Sequence, residues 1–144
     1  MTFSQQQIEH HTQLLRDTLR SDLIWHWDDR LSVLLTEFAQ NKSEDVITIL
    51  RDVFAHEWDK KNIKKAPKDL KTQLGDLISL SKDQKIFTLP ATDESNPTTV
   101  AIWWPWGHGG TYSLRLMLLD ESYEFHLPDN SRANFVSFFK RLFS

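Results

Sequence analysis

The 144-residue chain contains no cysteine. Disulfides, thiolate metal sites and cysteine nucleophiles are therefore excluded. Glycine is nearly as scarce, with four residues, and three of them fall at positions 107, 109 and 110. Long apolar runs are missing: no stretch approaches the roughly 18 residues that a helical membrane span requires. The opening residues Met1-Thr2-Phe3-Ser4-Gln5 show neither a basic region nor an apolar core, so no signal peptide is expected. Charge of one sign is also lacking. A net charge of -3 provides no chain-wide basic field for nucleic acid and no acidic tail. These absences point to a cytoplasmic protein without a membrane segment and without a cofactor.

What remains is a globular composition, 40% hydrophobic and 26% charged, in a chain long enough for one well-filled core. One domain over residues 1–144 is expected, with a helical half over about 1–80 and a sheet with a last helix over about 85–144. Ser4 and Gln7 have the spacing of a capping box at the start of a first helix. Ile8, Leu15, Leu19, Leu23, Trp27, Leu31, Leu34 and Phe38 follow mostly at steps of three or four. That spacing predicts two helices meeting near Ser21-Asp22, or one bent helix. Asn41-Lys42-Ser43 interrupts the pattern. Val46, Ile47, Leu50, Val53, Phe54 and Trp58 then predict a third helix. Pro67 is placed for the first position of a fourth, short helix carrying Leu70, Leu74, Leu77 and Ile78, which Gly75 weakens.

Period two takes over from residue 85. Lys85–Leu89, Val100–Trp104, Tyr112–Leu118 and Tyr123–Leu127 each alternate as strands do. A four-stranded antiparallel β-meander with one buried and one wetter face is the expectation. Phe135, Val136, Phe138, Phe139, Leu142 and Phe143 form an apolar stripe on a final amphipathic helix. Its expected place is over the sheet, with a homodimer contact as second choice. The fold class predicted is α+β, with about four N-terminal helices, the meander and the covering helix.

The candidate site is the segment Trp103-Trp104-Pro105-Trp106-Gly107-His108-Gly109-Gly110, which holds three of the six tryptophans. Tryptophan is costly to leave in water, and clustered glycines mark backbone that turns tightly or approaches something closely. Two readings compete. In one, Trp103 and Trp106 anchor a partner, and the amides of Gly107, Gly109 and Gly110 with His108 form a polar nest. In the other, the segment is a hairpin loop folded onto its own core. Gly-His-Gly-Gly lacks the Lys-Ser/Thr pair of a phosphate loop.

Other constellations carry less chemistry. Trp25-His26-Trp27-Asp28-Asp29 offers a histidine and two carboxylates; on a helix His26 could share a face with Asp29 or Arg30, and Asp28 could not join them. His56-Glu57-Trp58-Asp59 is half a zinc-protease helix, and Lys60 stands where the second histidine belongs. His10-His11 point in different directions on a helix. Lys60, Lys61, Lys64, Lys65, Lys68 and Lys71 form a basic run without aromatic residues between them, which argues against single-strand nucleic-acid stacking. No Gly-x-Ser-x-Gly elbow occurs.

With no catalytic set in view, the sequence favours a small non-catalytic protein-interaction module of the regulator, adaptor or toxin-neutralising type. Its partner would be another protein. The alternative is a small-molecule-binding or enzymatic domain with a Trp-lined pocket around His108, where His126 or Glu124 would converge. On the first reading, Trp106→Ala leaves the melting temperature nearly unchanged and weakens partner capture.

Overall fold

A computed structural model describes residues 3–90 and 97–120. The first helix, α1 (Gln5–Thr18), begins as the sequence predicts. The Gln7 amide donates to Ser4 Oγ at 3.2 Å, and the Ser4 amide donates to Gln7 Oε1 at 2.8 Å. Two otherwise orphaned donors are satisfied reciprocally. Ile8, Thr12 and Leu15 form the buried stripe, and the Thr12 hydroxyl is satisfied by the Ile8 carbonyl at 2.6 Å.

The expected second helix does not form. Its segment is a β-hairpin, β1 (Trp25–Asp28) and β2 (Val33–Ala39). The apolar spacing of Trp27, Leu31, Leu34 and Phe38 fits a helix, but Leu34, Thr36 and Phe38 also alternate. Local polar chemistry and long-range pairing decide between the two. The Asp28 carboxylate accepts from the amides of Arg30 at 3.0 Å and Leu31 at 3.4 Å, which stabilises a turn in place of a helical ladder. Ser32 at φ 55° completes the reversal. β2 is then held by six residue pairs to a later strand, from Leu34↔Leu116 to Ala39↔Thr111.

The next helix, α2 (Ser43–Val53), is shorter than the pattern reaching Trp58 suggests. Phe54 turns extended, and His56–Trp58 leaves as a strand, β3, whose indole donates to Thr88 Oγ1 at 2.9 Å. A 3₁₀ turn (Ile63–Lys65) leads to α3 (Lys68–Leu74), with Pro67 one residue before its first helical position. Gly75, at φ 54°, ends α3 and opens a further 3₁₀ turn, Gly75–Ile78. Three α-helices therefore stand among the described residues, where four were expected before the sheet.

β4 (Lys85–Leu89), β5 (Thr98–Pro105) and β6 (Thr111–Leu119) fall on the first three strands expected from period two. The sheet is nevertheless not a four-stranded meander. Among the described residues it has six antiparallel strands in the order β1-β2-β6-β5-β4-β3. The hairpin from the N-terminal half adds to β6, and β3 adds to β4. The expected strand Tyr123–Leu127 and the final helix lie outside the described residues.

Both sheet faces are buried, not one. Leu34, Phe38, Phe87, Trp103, Leu114 and Leu116 meet Ile8, Leu15, Val46 and Leu50 of α1 and α2. On the opposite face Ile86, Val100, Ile102, Trp104 and Met117 meet Ile63, Ala66, Leu74, Leu77 and Leu80. The residues expected on a wetter face, Ala101, Trp103, Arg115 and Met117, are therefore buried as well. A strand covered on two sides has no wet face to alternate with.

Candidate functional site

The hairpin tip between β5 and β6 is built by its own hydrogen bonds. The Trp106 amide donates to the Thr111 carbonyl at 2.8 Å, closing the ladder. The Gly109 amide donates to the Trp106 carbonyl at 2.9 Å, which makes a tight turn over Gly107 and His108. Gly109 leaves the turn at φ 77°, a region that glycine enters without steric cost. The Gly110 amide donates to His108 Nδ1 at 3.0 Å, so a neutral His108 carries its proton on Nε2. A side chain at Gly110 would crowd that ring, since its Cβ would lie 3.0 Å from His108 Nδ1. The Gly110 carbonyl accepts from the Gln40 amide at 3.0 Å, tying the tip to the end of β2.

The tryptophans divide by depth. Trp103 is 3% exposed and belongs to the α1–α2 face, where it packs against Phe38 and Tyr112. Trp104 is 6% exposed and belongs to the opposite face. Trp106 is half-buried, packs against that second core, and meets the His108 ring edge-on at 5.7 Å. Gly107, His108 and Gly110 are exposed, and Gly109 is half-buried. Of the six residues singled out in sequence, five therefore share the tip and Trp103 supports it from inside. His126 and Glu124 lie outside the described residues.

The remaining constellations separate in space. On a strand, His26 and Asp28 share a face, which a helix would not allow. Yet Asp28 is buried in its turn and His26 is exposed. His56 stacks on Trp58 at 5.4 Å. Glu57 is held by Arg51 at 2.8 Å and Lys85 at 2.9 Å, and these cations, Arg51 first, keep its carboxyl below the usual range. No group of three metal-ligating side chains exists among the described residues, and none of their helices is long and apolar enough to cross a membrane.

Arg115 is the residue the sequence reading passed over. It is 2% exposed in the middle of β6, on the Trp104 face. Its Nη1 donates to Ser113 Oγ at 3.0 Å, and that hydroxyl donates to the Trp104 carbonyl at 3.3 Å. Burial pushes its pKa down to about 10, while the charges of Asp28 and Glu37 pull it up. It thus remains a cation at neutral pH. The signal was present: Arg115 is the single charge in the run Leu114 to Leu119. A charge in a fully covered strand is expensive unless neighbours compensate it.

A scan against protein-family models and searches of curated proteins and of solved structures each returned no match.

Proposed function

We propose that this chain is a small non-catalytic protein-interaction module, of the regulator, adaptor or toxin-neutralising type, which meets another protein through the tip Trp106–Gly110. One observation carries the reading. The tip is ordered by its own hydrogen bonds yet exposes Gly107, His108 and Gly110. A turn already held in one conformation loses little freedom on binding, so more of its contact energy appears as affinity. His108 Nε2 supplies a directed polar contact, and Trp106 beside it supplies apolar area. Trp103 contributes by supporting β5 from the core. Of the three tryptophans in this segment, Trp106 alone could line a pocket around His108, because Trp103 and Trp104 are core side chains.

The test is capture of a partner from the native host by the tagged chain, in parallel with His108→Ala. His108 is exposed and its Nδ1 accepts from the Gly110 amide, so the variant should stay folded and lose no more stability than one exposed hydrogen bond supplies, about 1 kcal/mol. Loss of one specific partner with folding intact supports the module. Equal capture by both proteins removes the tip from the interface.

A further inference from the structure

The connector between β3 and α3, together with the first turn of α3, carries the strongest local charge of the described chain. Residues 60–71 hold six lysines against one aspartate, a net +5 in a chain of net -3, so the rest carries -8. Lys60, Lys61, Lys64, Lys65 and Lys68 are exposed. None of the six ammonium groups is ion-paired among the described residues; Lys71 Nζ instead donates to the Lys64 carbonyl at 3.0 Å. Nor is the segment loosely held. Asp59 Oδ1 accepts from the amides of Lys61 at 2.8 Å and Asn62 at 2.9 Å. Asn62 answers by accepting from the Asp59 amide at 2.7 Å and donating to the Glu57 carbonyl at 3.0 Å. Ile63 and Ala66 are buried in the second core, which forces the intervening lysines outward.

We propose that this connector, together with the outer edge of β3, docks an acidic extended segment of another protein. β3 is one end of the sheet, and among the described residues no strand pairs with its outer side. An incoming strand can use those backbone groups for a main-chain ladder. The chain then runs directly from Trp58 through Asp59 to Lys60 and Lys61, so acidic residues of the added strand reach the cations. Glu57, the acid on β3 itself, is already neutralised by Arg51 and Lys85 and does not repel the newcomer.

The observations favour a protein over other polyanions. No aromatic residue lies within 60–71 to stack on bases, and no arginine to fork onto phosphate. The negative charge on the rest of the chain opposes a long nucleic acid or an anionic bilayer extending past the patch. This surface is separate from the hairpin tip, and a result against either leaves the other standing.

The experiment is fluorescence anisotropy of the full chain with a short labelled peptide of alternating Glu and Val. Controls are the same peptide with Lys for Glu, the acidic peptide with alternate amides N-methylated, a single-stranded oligonucleotide, and phosphatidylserine vesicles. The wild type should bind the acidic peptide, and the affinity should fall as salt rises. The combined variant Lys60→Gln, Lys61→Gln, Lys64→Gln and Lys65→Gln should bind about tenfold or more weakly, with an unchanged melting temperature. N-methylation should also abolish binding, because the ladder is lost. The proposal is overturned by no binding of the acidic peptide, by equal binding to the Lys peptide or the combined variant, or by tighter binding of the oligonucleotide or vesicles. Undiminished binding of the N-methylated peptide overturns the edge-strand mode. Lower solubility of the combined variant with no peptide binding would assign the lysines to protecting the sheet edge from aggregation.

Discussion

Two hairpins of the sheet, β1–β2 and β5–β6, reverse their chains by different means. The β1–β2 turn has no glycine between Asp28 and Val33; a buried carboxylate caps two amides, and Ser32 sits at φ 55°. The β5–β6 tip uses three glycines, with Gly109 at φ 77° and His108 closing onto Gly110. One turn is imposed by a side chain and tolerates a strained backbone. The other is permitted by the backbone, and the one side chain that braces it, His108, stays exposed. The lesson concerns freedom: a turn whose reversal rests on glycine need not bury its side chains and can keep them available for contact.

Arg115 lies where the two hairpins join, paired with Leu35 of β2 and Ile102 of β5. The largest effect is expected here. Arg115→Ala should cost about 3–5 kcal/mol, since it opens a cavity and removes the cation that faces Asp28. Urea unfolding measures this, and a loss below about 1 kcal/mol would break the link between the turns. Trp106→Ala comes next. Half of that side chain is in the second core, so about 1–3 kcal/mol should be lost. That differs from the nearly unchanged melting temperature expected of a purely exposed anchor, and thermal melts decide between them.

The two backbone substitutions sharpen the comparison with opposite signs. A Cβ at Gly109 would meet no atom within 4 Å, so Gly109→Ala isolates the conformational cost, about 1 kcal/mol destabilising. Ser32→Gly relieves the same kind of strain in the other turn and gives up some chain entropy. It should raise stability by about 0.5 kcal/mol. If both variants lower the melting temperature equally, the two turns do not differ in the way described.

Much of this was legible in the residues, though unevenly. Ser4 and Gln7 announced their capping box, and alternation located β4, β5 and β6 because Pro90 and the Gly cluster punctuate them. The glycine tip was equally visible, since scarcity elsewhere made three glycines conspicuous. The β1–β2 hairpin was not. Its apolar residues satisfy both periods, and its partner in pairing lies some eighty residues later in β6. No local window contains that information. Likewise, Trp103 and Trp104 pointed to opposite faces in sequence, but that both faces are dry depends on α3 and its flanking 3₁₀ turns covering the second one. The lysine run was plain as composition. That it forms one held surface beside a sheet edge required β3, which a helical reading of Trp58 conceals.

Arg115 also has a bearing on how the strands find one another. Side chains on a strand alternate faces, so a one-residue slip of β6 would carry Arg115 to the α1–α2 side, among Leu34, Phe38 and Trp103. There it would lose Asp28 and enter an apolar layer, with only Ser113, two residues away on the same face of β6, moving with it. Leu114, Leu116 and Leu118 would meanwhile exchange with Met117 and Leu119 at small cost, because both layers are oily. Hydrophobicity alone therefore discriminates poorly between the two pairings of this strand. The guanidinium does discriminate: a single charge in a doubly covered strand distinguishes the native alignment of the six-stranded sheet from its nearest competitor.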